Sequence, residues 1–224
     1  AIVEPLTDFM AQSIQMWKKH HFSFDIITTG FLVNEEQAQL VKRLIQQLSS
    51  PPMVIVDPIM GEDGAIYLGM SNDLVKGMQS IIEVADLILP NMTEAALITN
   101  EPYPKAHLHR KTLRSWIDLL RERGAKSVAI TSILLDEGHF VAGYAHNEQQ
   151  YFAIPYHHIP RPFGGTGDIF SALITRQIAK QIPLTEAVTN ATEVISMMIR
   201  AEADQQEDRA LDLPIEKYLN MIRF

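Results

Sequence analysis

Met53-Val54-Ile55-Val56-Asp57-Pro58 sets four apolar residues in a row before an acid and a proline. A strand with one wet face alternates apolar and polar residues. A near-continuous apolar run is what a parallel strand buried on both faces requires. Ser49-Ser50-Pro51-Pro52 breaks the preceding segment, and Asp57-Pro58 ends the run itself. Working outward, similar short β-rich segments recur at Phe24–Thr29, closed by Gly30, at Asp86-Leu87-Ile88-Leu89, closed by Pro90-Asn91, and at Ser127-Val128-Ala129-Ile130-Thr131. Helical patterns fill the intervals. Asn34 caps a helix to about Leu48, with Glu36 and Gln37 in its first turn, and others run from about Asn72 to Val84 and over 110–123. A short helix begins near Thr93, and a glycine-containing loop spans Ile59–Gly69. This alternation predicts an α/β fold with a mainly parallel, doubly wound central sheet, right-handed crossovers and helices on both faces, a three-layer α/β/α arrangement.

The flanks extend this pattern. Leu6, Phe9, Met10, Ile14 and Trp17 recur at three- and four-residue spacing, so the sequence opens on a helix where most such domains open on a strand. No basic segment followed by a short apolar core is present, so no signal peptide is expected. Residues 138–145 and 150–154 read as a hairpin turning at His146-Asn147-Glu148. After a Pro- and His-containing linker, Gly164-Gly165-Thr166-Gly167-Asp168 opens a helix to about Gln181. Pro183 starts the next helix, to about Ala203, and a last one spans roughly Pro214–Met221.

At ~150 residues per domain, 224 residues fit one α/β domain. A chain 46% hydrophobic and 21% charged is neither disordered nor fibrous. No apolar run reaches the ~18–20 residues that span a bilayer, so no membrane association is expected. Cysteine is absent, which excludes disulfides, thiolate catalysis and cysteine zinc sites and is compatible with a reducing, cytoplasmic setting. With 19 basic and 27 acidic residues the net charge is −8, which argues against nucleic acid as a partner. It does not exclude an anionic substrate, because phosphate sites can be built from backbone N–H groups and metal ions.

In such a sheet, ligands lie outside the carboxyl ends of the strands. The candidate functional residues are therefore Asp57, Asn91, Glu94, Thr131, Ser132 and the glycine-rich turn. Glycines at a loop-to-helix junction let backbone N–H groups converge on an anion, and the helix dipole assists. Asp168, in the first turn, cannot ligate a phosphate but can take a proton from an attacking hydroxyl. The competing reading is a plain N-terminal cap with glycines for tight packing. Asn91 and Glu94, three apart, share a helical face, and their oxygens suit Mg²⁺ directly or through its waters; taken alone, the pair is read more simply as a helix cap. Asp57, Glu62 and Asp63 cluster three carboxylates in one loop, which calls for a cation, although an ordinary turn accounts for Asp63 and Gly64. Thr131 and Ser132 could bond phosphate oxygens or merely end a strand.

Other features read as structural. His20-His21, His107/His109 and His157-His158 have no carboxylate at a recognised metal spacing and are expected in solvated loops. Met197-Met198 fit a helix core. Glu202, Asp204, Glu207 and Asp208 read as a solvated face, and His139 has no assigned role.

Taken together and in this order, Asp57-Pro58-Ile59-Met60-Gly61 with Gly64 and Tyr67, Asn91-Met92-Thr93-Glu94, Thr131-Ser132 and Gly165-Thr166-Gly167-Asp168 resemble the pyridoxal kinases of the ribokinase-like superfamily. The likeness covers the chain from about Leu6 onward. The Gly-Thr-Gly-Asp turn is shared across the superfamily, and the Asp-Pro-Ile-Met-Gly loop with its following Tyr points to the pyridoxal branch. The sister branch, the hydroxymethylpyrimidine kinases, typically carries Cys where this sequence has Asp168. The resemblance implies transfer of the ATP γ-phosphate to the 5′-hydroxymethyl of pyridoxal, pyridoxine or pyridoxamine. It implies Asp168 as the base and Gly165, Thr166 and Gly167 as the anion hole. Asn91 and Glu94 would order Mg²⁺ and its waters, with Asp57 near the metal and γ-phosphate. Thr131 and Ser132 would contact ATP phosphates, Thr166 and Tyr67 would belong to the nucleotide site, and a monovalent cation would assist. The family is commonly homodimeric.

Three departures stand out. The family normally begins with a strand and turn that carry substrate-pocket residues, so a unit on the order of 30–50 residues is expected before Ala1, and residues 1–224 read as one N-terminally incomplete domain. Phe31 stands where relatives often have a Tyr close to the pyridine ring, which keeps stacking and loses a hydroxyl. Glu62 stands where Asp is frequent. A hydroxymethylpyrimidine kinase of thiamine synthesis and a non-catalytic nucleotide-binding relative are the alternatives. A dinucleotide-binding oxidoreductase is disfavoured, because the glycine turn comes late and no Gly-x-Gly-x-x-Gly follows a first strand.

Overall fold

The computed structural model describes residues 3–70, 72–161, 163–203 and 211–220. Helix α1 (Thr7–Lys19) leads into strand β1 (Ile26–Thr29), helix α2 (Glu35–Gln47) and strand β2 (Met53–Val56). A small hairpin, β3 (Gly61–Glu62) and β4 (Ala65–Ile66), precedes α3 (Asn72–Ile82), β5 (Leu87–Ile88) and α4 (Met92–Thr99). Next come α5 (Arg110–Glu122) and three long strands, β6 (Ser127–Leu135), β7 (Gly138–Ala145) and β8 (Gln150–Tyr156). Then follow β9 (Phe163–Gly164), α6 (Thr166–Ala179), α7 (Leu184–Ala203), β10 (Leu211–Asp212) and α8 (Ile215–Tyr218).

The central sheet has the order β1-β2-β5-β6-β7-β8. Its first four strands are parallel, and β7 and β8 add an antiparallel flank. Side-chain alternation along the parallel strands explains the unbroken apolar runs. Val54, Val56, Ile88, Val128 and Ile130 enter a core shared with α2, α3, α4 and α5. Ile55, Leu87, Leu89 and Ala129 enter a second core shared with α6 and α7. Water reaches neither face, so polar alternation would bury unpaired groups. The expected three-layer α/β/α arrangement is the one observed.

Several local expectations change. Strand β6 runs to Leu135 rather than ending at Thr131, because it continues pairing with β7 through Ile133↔Phe140 and Leu135↔Gly138. The register slips between Ile130 and Ile133, and Ser132 in that bulge has φ 57°. The loop at 59–69 contains the β3–β4 hairpin, whose turn residues Asp63 and Gly64 both have positive φ, as a two-residue hairpin turn requires. Glu202 is not on a solvated face. It is buried at 7% exposure and accepts the Tyr218 hydroxyl at 2.6 Å and Lys217 Nζ at 3.2 Å, because α8 folds back on α7. Asp204, Glu207, Asp208 and Met221 lie outside the described residues. Met198 is fully buried, whereas Met197 is exposed. Among the described residues no helix is long and apolar enough to cross a membrane.

Helices α2 and α3 cross closely at Gly77. A methyl group there would sit 2.9 Å from Glu35 Cα and 3.0 Å from Ala38 Cβ. Alanine is intrinsically favoured over glycine in a helix by about 1 kcal/mol, but the clash with α2 outweighs this. Gly77→Ala is therefore expected to destabilise by about 1–3 kcal/mol. Urea denaturation checks it, and an unchanged or raised midpoint would show that the crossing is looser than described.

Candidate active site

The parallel register brings the ends of three strands to one edge of the sheet. Asp57 directly follows β2. Asn91 lies three residues past Ile88 of β5 and forms an isolated parallel bridge with Thr131 of β6. Asn91 caps α4: its Oδ1 accepts the Glu94 N–H at 3.0 Å, and Glu94 Oε2 accepts the Asn91 N–H at 2.8 Å. The capping reading of this pair is thus present in the fold, but the same side chains do more. Glu94 Oε1 accepts the Met60 N–H at 3.0 Å. Asn91 Nδ2 donates to the Gly61 carbonyl at 2.8 Å, and Thr93 Oγ1 accepts the Gly64 N–H at 2.9 Å. Three polar side chains at the start of α4 therefore hold the loop that follows β2.

The opposite wall is the start of α6. Gly165 is the N-cap residue at φ 78°, a left-handed conformation that favours glycine, and no side chain caps the helix. A Cβ placed on Gly165 or on Gly167 would meet no atom within 4 Å. Gly167 thus needs glycine neither for its backbone angle nor for packing, and the space before these amides is open. Asp168 lies in the first turn of α6, and Ser171, one turn further on the same face, donates its hydroxyl to Asp57 Oδ2. The Asp57–Ser171 bond ties the two walls together.

Between the walls lies a cleft of about 430 Å³. Asp57, Tyr67, Asn91, Glu94, Thr131, Ser132 and residues 165–168 all line it, so the structure brings together the strand-end residues singled out from the sequence. Phe31 is the exception: it is 51% exposed and is not among the lining residues. Several lining residues carried no usable sequence signal. Tyr156, His157, His158 and Arg161 arrive because β8 extends to Tyr156 and delivers the following segment to the cleft. His139 gains a role there, stacking on His158 with ring centroids 4.2 Å apart. Ser171 had a legible signal, a helical turn from Asp168. Ile195 and Ile199 of α7 close the apolar end. The histidine pairs at 107/109 and 157/158 lie in exposed loops as expected, and the fold adds neighbours that spacing did not show. His157 and His158 line the cleft, and His107 Nε2 lies 2.7 Å from Asp136, a carboxylate that sequence spacing could not connect to it.

Electrostatically the cleft is acidic, with Asp57, Glu62, Glu94 and Asp168 against the one guanidinium of Arg161 among its lining residues. Burial pushes Glu94 up to about 8, with the Asn91 and Met60 N–H groups pulling the other way. Burial pushes Asp57 up to about 6; the Ser171 hydroxyl opposes this and the Asp168 carboxylate adds to it. Tyr67 is raised to about 12, first by burial and then by Glu62. Hard oxygen donors at this density, with negative charge held against its preference, suit a divalent cation such as Mg²⁺.

A carboxylate whose folded pKa is raised binds protons more tightly in the folded state. Its stabilising contribution is complete below the unfolded value and is lost as pH rises through the folded one. The cation-free protein should therefore lose stability between about pH 4 and pH 8, following Asp57 and then Glu94. Thermal melts across that range check this. Glu94→Gln should flatten the upper part of the slope, and an identical slope in the variant would remove Glu94 from the explanation.

The phosphomethylpyrimidine kinase family matches residues 3–210. A hydroxymethylpyrimidine/phosphomethylpyrimidine kinase of Staphylococcus aureus is 31% identical over 182 residues, 78% of this chain and 62% of that protein. The chain thus spans less than two thirds of that relative's length. A crystal structure from Bacteroides thetaiotaomicron, with pyridoxal and provisionally assigned as a phosphomethylpyrimidine kinase, superposes with a TM-score of 0.89. It is 34% identical and covers 98% of this chain and 78% of its own. Pyridoxal kinase from Lactobacillus plantarum superposes with a TM-score of 0.86 at 25% identity, covering 99% and 78%. Sheet order, strand-end cleft and these likenesses agree that the chain belongs to the phosphomethylpyrimidine kinase family, in the ribokinase-like fold it shares with pyridoxal kinases.

Proposed function

We propose that this chain is the catalytic part of an ATP-dependent kinase of vitamin B6 compounds. It would transfer the γ-phosphoryl group to the 5′-hydroxymethyl of pyridoxal, pyridoxine or pyridoxamine. The observation that carries this reading is the open corner at Gly165 and Gly167 with the Asp168 carboxylate beside it. Asp168 takes the proton of the attacking hydroxyl as its oxygen bonds to phosphorus and the bond to the departing ADP oxygen breaks. Backbone N–H groups at 165–167 and the positive end of α6 stabilise charge on the transferring group. Thr131 and Ser132 contact phosphate oxygens, Tyr67 covers the nucleotide, and the apolar end at Ile195 and Ile199 receives the base.

Asp57, Asn91 and Glu94 would hold Mg²⁺ and its waters. Both Glu94 oxygens and Asn91 Oδ1 already accept backbone N–H bonds, so these two act best on metal-bound water. Bound there, the divalent ion supplies charge neutralisation in a cleft whose side chains are mostly acidic, with a monovalent cation assisting. Phe31 stays in the proposal as a pyridine-stacking residue at the substrate end. Homodimeric assembly, implied by the resemblance, completes it and is read by light scattering.

Two observations favour the pyridoxal reading: pyridoxal is in the Bacteroides thetaiotaomicron structure, and Asp168 occupies the position after Gly-Thr-Gly. The second reading, a hydroxymethylpyrimidine kinase, is favoured by the matching family and the Staphylococcus aureus relative. Comparing kcat/KM for the three B6 compounds and hydroxymethylpyrimidine separates them, and preference for the pyrimidine overturns the first reading. ATP binding without turnover of either class, in the full-length gene product, would point to a non-catalytic relative. Asp168→Ala is expected to lower kcat by about 10²–10⁴-fold while calorimetric ATP affinity stays nearly unchanged. An unaltered kcat would remove Asp168 from the mechanism.

A further inference from the structure

We propose that His107, His109 and Asp136 form a second metal site, for a borderline transition-metal ion of the Zn²⁺, Co²⁺ or Ni²⁺ class. It lies away from the cleft, none of whose lining residues it shares. The backbone builds it. Leu108 is buried, and its N–H donates to the Leu134 carbonyl at 2.7 Å, which pins this segment along β6. Residues on either side of an anchored extended residue project to the same side, so His107 and His109 both face outward. Asp136 sits in the β6–β7 turn immediately beyond Leu135, where the pairing of β6 with β7 presents it to the two imidazoles.

His107 Nε2 lies 2.7 Å from Asp136 Oδ1, and His109 Nδ1 lies 3.7 Å from Asp136 Oδ2. One ligand atom from each of the three residues lies within 4.8 Å of the others. Tetrahedral ligand bonds of ~2.0–2.2 Å place donor atoms roughly 3.3–3.6 Å apart, so the 2.7 Å His107–Asp136 hydrogen bond opens and the wider separations close when an ion enters. All three side chains are exposed, which leaves their rings and carboxyl group free to rotate toward an ion. The nearest charges do not compete. Arg110 is held by Glu137 at 2.7 Å, so that pair is already neutralised. Two imidazole nitrogens and one carboxylate oxygen select zinc-like ions over Mg²⁺. Three protein ligands leave the remaining positions to water. The ion would clamp the 107–109 segment, and with it the start of α5, to the β6–β7 turn.

A bare surface His–Asp pair predicts no stoichiometric metal, so the two readings separate by titration. Untagged full-length protein, free of nucleotide and with excess Mg²⁺ occupying hard-oxygen sites, is titrated calorimetrically with Zn²⁺ at about pH 7.5. One equivalent should bind. His107→Ala, His109→Ala and Asp136→Asn should each weaken it by about tenfold or more. With Co²⁺ as probe, absorption should report nitrogen–oxygen ligation that the His107→Ala/His109→Ala variant lacks. All substituted side chains are exposed, so the variants should melt like the parent without metal. Absence of a stoichiometric site, or undiminished binding in the double variant, overturns the proposal.

Discussion

A carboxylate shut away from water must find donors within the chain, and Glu94 finds two. It is 3% exposed and accepts backbone N–H bonds from Met60 and Asn91. The Asn91 bond closes the cap of α4. The Met60 bond reaches across to the loop leaving β2, and Asn91 and Thr93 add bonds to Gly61 and Gly64. Without these, the loop at 57–69 would carry unpaired amides beside the sheet, at a cost of about 1–3 kcal/mol each. The floor of the cleft, the β3–β4 hairpin and the placement of Tyr67 all follow from this one junction.

The opposite wall solves the same problem in reverse. At α4 a side chain satisfies the helix amides. At α6 no side chain does, the N-cap is a glycine, and the space in front is open. One wall is thus an acid already committed to amides, and the other offers amides with an acid alongside. An anion fits the second wall, and a cation between it and the first relieves the repulsion of Asp57, Glu94 and Asp168. The Ser171 hydroxyl on Asp57 fixes the spacing between them. A phosphoryl donor carried with a divalent cation is the ligand chemistry such an arrangement suits.

The parts legible in the sequence were those whose signal is local. The run at 53–56 announced double-sided burial, because each of its side chains meets one of two cores. Asn91 and Glu94 were readable as a pair three apart, and the glycine turn as a helix start. What escaped was set by partners distant in the chain. Strand β6 outran its expected end because β7 keeps pairing with it past the bulge at Thr131 and Ser132. Glu202 looked like part of a solvated run until α8 returned to cover it.

The chain's own pattern of apolar runs, glycines and acids therefore determined the layered sheet and which residues stand at its strand ends, since burial periodicity and helix capping act over a few residues. Only the tertiary structure decided which of those ends face each other. It gave Asp57 its Ser171 partner, brought the Tyr156–Arg161 segment to the cleft and set Asp136 beside His107. Those contacts join positions tens of residues apart, and strand register, which no local pattern encodes, fixes them.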